Sequence, residues 1–191
     1  MNLTVDQRKN LIEIYPYLQP RSLWMGEIPT DYDYSYIRGE ELPNGWLKLF
    51  LLYCKNIRPV LQKTNTLETF RFSDLKEKYG IMRLSNFGCT NEIWILTLLY
   101  EAYSKQICHV CGNQARYESN GWIEPWCETC ITHCPDSYFK IYRKSQMRIS
   151  TYNREKSCEE VTFYSFRKLS REYRDCMKMT DNEFYTYITT V

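Results

Sequence analysis

"CHVCGNQARYESNGWIEPWCETC", residues 108–130, holds two Cys-x-x-Cys pairs with fifteen residues between them. Two residues between cysteines let one tight turn aim both sulfurs at a single point, and a tetrahedral Zn2+ takes four such donors. Cys108 and Cys111 make the first knuckle, with Gly112 supplying permissive backbone just after it. Cys127 and Cys130 make the second. "QARYES" and "WIEPW" flank Asn120-Gly121, a two-residue hairpin signal because both turn positions need positive φ. Such a hairpin folds the chain so that the knuckles meet, and the C-x2-C-x15-C-x2-C spacing is that of a zinc site. Pro125 confines the second strand to a sheet edge. Four thiolates leave no corner for water, so the expected zinc is structural and contributes to folding. His133 and Cys134 lie close enough in sequence to replace Cys130, and the sequence leaves that alternative open.

Other uses of the thiols fit less well. "WCETC" looks like a thioredoxin-type redox motif, but the βαβ setting is absent and Cys108 and Cys111 would be unexplained. Haem attachment needs a His directly after the pair, and neither pair has one. Nine cysteines, an odd number, leave a thiol over in a fully disulfide-bonded scheme. Cys54, Cys89, Cys158 and Cys176 are expected to be free and buried.

A chain of 191 residues suits one domain, or a domain with an extension. The start, "MNLTVDQRKNLIEIYPYLQP", shows no basic region followed by an apolar stretch, so no signal peptide is expected. "WLKLFLLY" and "WILTLLY" are too short to span a bilayer. The expectation is a soluble, cytoplasmic protein with no membrane partner. Net charge is only +2, so bulk electrostatics point to no nucleic acid. The charge is uneven, however: residues 1–45 carry four basic and seven acidic groups, and 138–178 carry eleven and five.

Along the chain, "VDQRKNLIEIY" reads as a short helix, followed by an irregular Pro- and Tyr-rich stretch. Pro43 opens a helix to about Leu61, with Trp46, Leu49, Phe50, Tyr53 and Ile57 at helical spacing. "TFRFSDLKEKYGIMRLSNFG" reads as two strands about Gly80. Asn91 introduces a second helix, "EIWILTLLYEAYSKQI", apolar on most of its circumference and so expected at the centre of the core. "SYFKIYRKSQMRISTYN" reads as strands. "SCEE", Ser157 to Glu160, has the form of a capping box and predicts a helix from there to Met179, burying Phe163, Phe166, Leu169, Tyr173 and Cys176. The fold class expected is α+β: helices on a small antiparallel β element, a four-cysteine zinc-knuckle and hairpin module, and a helical C-terminal extension. The boundaries expected are 1–137 for the zinc-stapled core, with the knuckle module at 105–135, and 138–191 for the basic, mainly helical extension.

No P-loop, H-E-x-x-H, G-x-S-x-G or dinucleotide fingerprint occurs, and the sequence predicts no catalytic residue and no enzyme. A metal-finger nuclease would need a general-base His with further His or Asn holding a divalent ion. His109 sits inside the first knuckle, where a solvent-facing position is expected, and His133 lacks His partners. Asp31 and Asp33 in "TDYDYSY" are expected to be solvated acids. Arg167, Arg171, Arg174 and Lys178 fall at i, i+4, i+7 and i+11, a basic stripe that fits phosphates, an acidic protein surface or plain solvent. "DYDYSY" with Trp24 fits either a partner-binding loop or ordinary packing over the core.

"LWMGEIPTDYDYSY", "LPNGW", "LKEKYGIMRL" and "CHVCG…GWIEPWCETC", in that order, resemble an uncharacterised zinc-knuckle family of phages, prophages and other mobile elements of Gram-positive bacteria. The likeness spans about residues 20–135. It implies a β element at Lys76, Glu77, Lys78, Tyr79, Gly80 and Arg83, and zinc ligands at Cys108, Cys111, Cys127 and Cys130. Ile81-Met82 departs from the usual Gly or Leu, and the basic C-terminal helix is not part of the likeness. The family has no established activity. What its setting implies is a small protein that binds and blocks host machinery, with a host defence protein such as a CRISPR effector nuclease as partner and an anti-CRISPR inhibitor as the function. The alternative is a nucleic-acid-binding accessory protein using the basic helix.

Overall fold

The computed structural model describes residues 2–22, 26–153 and 155–190. Trp24, one residue of the suggested partner-binding loop, lies outside them. The fold is α+β, with five helices and three small antiparallel sheets among the described residues.

Helix α1 (Val5–Ile14) begins at Thr4, whose hydroxyl accepts from the Gln7 amide while the Gln7 side chain returns a bond to Thr4. That reciprocal pair satisfies two otherwise orphaned donors. After a 3-10 turn at Asn44–Trp46 comes α2 (Leu47–Lys63), nine of whose residues are buried. Helix α3 (Asn91–Ser104) is capped one residue earlier than expected, by Thr90. The enclosed helix is α2 and not α3. Trp94 is exposed, and Leu96 and Leu99 are only half-buried. An all-round apolar pattern does not say which side the rest of the chain covers.

Strands β1 (Arg71–Lys78) and β2 (Ile81–Phe87) form the expected hairpin. Its two-residue turn places Tyr79 and Gly80 both at positive φ, 54° and 70°. Two β2 amides turn from β1 toward α3: Met82 donates to Ser104 Oγ at 2.9 Å, and Leu84 to Glu101 Oε1 at 2.8 Å. Arg83 also reaches Glu101, at 2.8 Å. The polar groups of "EAYS" therefore close one edge of the hairpin. A buried edge amide without such a partner would be costly.

The second sheet runs β4-β3-β5, with β3 at Tyr117–Ser119, β4 at Pro125–Trp126 and β5 at Tyr138–Lys140. Pro125 is on an edge strand as expected. The Asn120-Gly121 turn is not the two-residue kind. The strands separate after Ser119, neither Asn120 nor Gly121 has positive φ, and the loop runs to Glu124. Ser119 Oγ organises it, donating to the Trp122 carbonyl and accepting from the Glu124 amide at 3.0 Å.

The third sheet pairs β6 (Gln146–Asn153) with β7 (Cys158–Ser165) over eight residues. This corrects the expected long helix: its first half is strand, and only Arg167–Lys178 is helical, as α4. Ser157 has φ of 50°, which suits a hairpin turn and not a helix cap. Phe163 is consequently 59% exposed, whereas Phe166, Leu169, Tyr173 and Cys176 are buried as expected. A further helix, α5 (Asp181–Thr189), follows a capping box of Thr180 and Glu183.

One apolar cluster joins α1, α2, the β1–β2 hairpin, α3, α4 and α5. Tyr173 and Cys176 of α4 and Phe184 and Ile188 of α5 are in it, the last two fully buried. Side chains of α2 reach the C-terminal helices: Lys48 pairs with Asp181 at 3.2 Å, and Lys55 donates to the Tyr187 carbonyl at 2.8 Å.

Candidate metal centre

The structure brings Cys108, Cys111, Cys127 and Cys130 together, all four sulfurs lying within 4.8 Å of one another. Cys111 Sγ and Cys127 Sγ are 3.6 Å apart. Four sulfurs about 2.3 Å from a tetrahedral zinc are separated by about 3.8 Å, so this set can hold such an ion. Cys130 belongs to the cluster; His133 and Cys134 do not. The choice left open in the sequence resolves to Cys130 because the Cys127 carbonyl accepts the Ile131 amide at 3.0 Å and starts a 3-10 turn, Cys130–His133. That turn points Cys130 back at Cys127 and carries His133 out to an exposed position.

Each knuckle closes on itself. Gly112, at φ of 78°, donates to the Cys108 carbonyl at 3.0 Å, and the Cys108 amide reaches the Asn113 carbonyl at 2.7 Å. In the second knuckle the Cys130 amide donates to Cys127 Sγ at 3.3 Å. The knuckles are joined through His109, whose amide donates to the Pro125 carbonyl at 3.0 Å, and through the Arg116 amide, which reaches the Trp126 carbonyl at 2.8 Å.

Without a cation these thiols are at odds with their setting. Burial pushes the Cys108 thiol up to about 11, and burial with neighbouring sulfurs pushes Cys130 well above the usual thiol range. Cys127 is also penalised by burial, but the Cys130 amide and the neighbouring thiols outweigh that and hold it below the ordinary value. Amide dipoles collected around sulfur favour thiolate, and a divalent cation held by the four would supply further compensation.

The first knuckle is seated on the core. Gly45 N–H donates to the His109 carbonyl at 2.8 Å, and Trp46 Nε1 to the Ile107 carbonyl at 3.0 Å. Tyr173 of α4 donates to the Gly112 carbonyl at 3.0 Å. A Cβ on Gly45 would stand 2.2 Å from the Cys108 carbonyl oxygen and 2.6 Å from the Gly112 nitrogen. "LPNGW" is thus the knuckle's seat, a role that sequence spacing gives no means of finding. At the other end Trp122 Nε1 donates to Glu77 Oε2 at 3.1 Å, tying the β3–β4 loop to the tip of the β1–β2 hairpin.

His109 is not solvent-facing. Its Nδ1 lies 3.1 Å from the Pro125 carbonyl, its Nε2 3.7 Å from Glu124, and its ring stands edge-on to Trp126 with centroids 4.5 Å apart. Asp31 and Asp33 are on an exposed turn, where the Ser35 side chain and amide hold the Asp33 carboxylate below its usual range. Tyr32 meets Tyr34 at a tilt and Tyr36 edge-on, and donates to the Tyr36 carbonyl at 2.5 Å. Arg167, Arg171, Arg174 and Lys178 are all exposed along α4. Of the four cysteines expected to be free and buried, Cys54 and Cys176 are buried, but Cys89 and Cys158 are exposed, against expectation. Cys158 lies on the solvent-washed hairpin that replaces the expected helix.

No protein family, curated protein or solved structure matches the chain. No described helix is long and apolar enough to cross a membrane.

Proposed function

We propose that this chain is a non-enzymatic binding protein stapled by one structural Zn2+, acting in the cytoplasm of a bacterial host by stoichiometric capture of a host defence protein. The reading takes it as an anti-CRISPR inhibitor of a CRISPR effector nuclease. The observation that carries the first half is the donor set. Four cysteine sulfurs converge, and a tetrahedral ion held by four thiolates keeps no position for water or substrate. Such a site stabilises a fold; in zinc-finger peptides it contributes about 10–16 kcal/mol at neutral pH. The partner assignment rests on the resemblance of the ordered motifs to those of mobile-element proteins.

A surface suited to a protein partner lies where the β3–β4 loop meets the tip of the β1–β2 hairpin. Tyr79 and Trp122 are 66% and 68% exposed and line one shallow pocket with Ile123. Large aromatic rings that are already positioned make effective interface anchors. The test is gel filtration of the zinc-loaded protein with purified effector nucleases of several types, together with target-cleavage assays. Co-elution at fixed stoichiometry with loss of cleavage is expected, and Trp122→Ala should weaken the complex at least tenfold without altering the fold. Absence of any complex across the effector panel refutes the partner assignment while leaving the zinc assignment standing.

A second reading, nucleic-acid binding by α4, is favoured by one observation. Among the described residues only Lys178 of its four stripe cations pairs with a carboxylate, Asp175 at 3.5 Å. Retardation that weakens steeply with salt and is abolished by Arg171→Glu would support it.

A further inference from the structure

A cleft of about 810 Å³ opens between the C-terminal end of α3, the start of β2 and the β5–β6 connection. It shares no lining residue with the cysteine cluster and falls in the size range of ligand sites. Its floor is apolar, from Ala102, Ile141, Met147 and Phe166. Lys105, Lys140, Lys144 and Arg148 stand around it, with Glu118 as the one acid in the lining. None of these four cations makes an ion pair with a carboxylate among the described residues. Arg143, in the same connection, is also unpaired; partial burial and the nearby Arg116 and Arg174 cations lower its pKa, against an opposing effect of Tyr103. The cations outnumber the one acid, Glu118, and among the described residues pair with none, so the complementary ligand is an anion.

Two further observations narrow the anion. Phe139 and Tyr142 line the cleft and are 47% and 97% exposed, although hydrophobic burial would favour covering both. Gln106, also in the lining, is only 7% exposed, and its Nε2 is buried with no hydrogen-bond partner. A buried amide donor without a partner is unfavourable and is satisfied when an acceptor enters. Uncompensated cations fit phosphates, exposed rings fit base faces, and the amide fits an acceptor on a base edge. A duplex hides its base faces, whereas a single strand presents them.

We propose that the cleft bounded by Lys105, Lys140, Lys144 and Arg148 binds single-stranded nucleic acid, with bases stacked on Tyr142 and Phe139 and an acceptor of one base edge meeting Gln106. This site shares no lining residue with the α4 stripe and is independent of the protein-partner reading.

The test uses the full, zinc-loaded chain and fluorescein-labelled oligouridylate and oligothymidylate of about 12 nucleotides, followed by anisotropy over a salt series. Saturable binding is expected, weakening with salt at a log–log slope of about −0.7 per phosphate neutralised. Tyr142→Ala should weaken binding about 5- to 150-fold, the range for loss of one stacked base. Tyr142 is nearly free of the fold, and an unchanged melting transition verifies that the variant is intact. Lys144→Glu and Arg148→Glu should weaken binding and flatten the slope, whereas Arg171→Glu should change affinity less than twofold. Gln106→Leu should keep the slope but narrow the preference for oligouridylate over an abasic strand.

The proposal is overturned if no saturation occurs at low salt, or if Tyr142→Ala binds like the parent. Equal competition by a duplex or by polyglutamate also overturns it, the latter pointing to an acidic peptide. Competition by uridine monophosphate as effective as the 12-mer would overturn it in favour of a mononucleotide pocket. Loss in Arg171→Glu with retention in Lys144→Glu would overturn it by moving binding to α4.

Discussion

Replacing Gly45 by alanine adds one carbon where "LPNGW" meets the first knuckle, and two effects of opposite sign compete. Gly45 lies in a 3-10 turn and its φ is not positive, so alanine suits the backbone. Propensity alone predicts a gain of up to about 1 kcal/mol. Sterically, the new Cβ would stand 2.2 Å from the Cys108 carbonyl oxygen, 2.6 Å from the Gly112 nitrogen and 2.7 Å from the His109 carbonyl carbon. All three are backbone atoms of a closed turn, so the knuckle must move by about an ångström as a body. Three hydrogen bonds then stretch or break: Gly45 N–H to His109, Trp46 Nε1 to Ile107, and Tyr173 to Gly112. At about 1 kcal/mol each their loss is about 3 kcal/mol, more if the buried groups find no water. The steric effect wins. Urea unfolding of zinc-loaded protein should show a net loss of about 2–4 kcal/mol, or a melting temperature lowered by roughly 4–16 °C. Gly121→Ala is the control. Its Cβ would meet only the Asp136 carboxylate, at 2.4 Å, a side-chain end that can swing away. Its effect should stay below about 1 kcal/mol. A Gly45→Ala protein as stable as the parent would refute the seating of the knuckle on the Asn44–Trp46 turn.

Cys130→Ser should lose zinc and unfold at physiological temperature, whereas Cys134→Ser and His133→Ala should each retain one zinc per chain in native mass spectrometry. Glu101→Leu removes the acceptor of the Leu84 amide and the Arg83 guanidinium, and should cost about 2–3 kcal/mol in chemical denaturation; Glu101→Gln, which keeps an acceptor, should cost less than half of that. Alkaline stability follows from Tyr17, Tyr53, Tyr100 and Tyr173, whose phenols burial holds well above the ordinary tyrosine range. A raised folded pKa gives a contribution complete below the unfolded value of about 10 and lost as pH climbs toward the folded values. Tyrosinate absorbance from these four should therefore appear together with unfolding above about pH 10, and not as a separate earlier titration.

Where burial left polar residues confined to one stripe or marked by spacing, the sequence pattern was legible. The spacing of Trp46, Leu49, Phe50, Tyr53 and Ile57 marked α2 because that helix packs on several sides with its polar residues confined to a stripe. Gly80 marked a turn because strands burying Phe72 and Leu75 on one side and Met82 and Leu84 on the other converge on it. The four metal-site cysteines were legible because ligand geometry fixes their spacing. Cys158–Ser165 was misread as helix because β6 and β7 bury little, Ile149 being their one nearly enclosed residue. With no buried face the period-2 signal vanished, and a chance Ser-x-x-Glu outweighed the β-favouring run Val161, Thr162, Phe163 and Tyr164. The true box, Thr180-x-x-Glu183, was written just as plainly and opens α5. Asn120-Gly121 misled because the Ser119 hydroxyl supplies bonds that a tight turn would have taken from the backbone. The seat at Gly45 and the cleft around Gln106 arise from contacts between segments far apart in sequence, which no local pattern encodes.

X-ray absorption at the zinc edge, on reduced protein purified without chelator, tests the metal assignment most directly. Four sulfur neighbours at about 2.3 Å, no oxygen or nitrogen neighbour, and one zinc per chain are the predicted result. A light atom among the ligands, or folded protein that carries no metal, would contradict it.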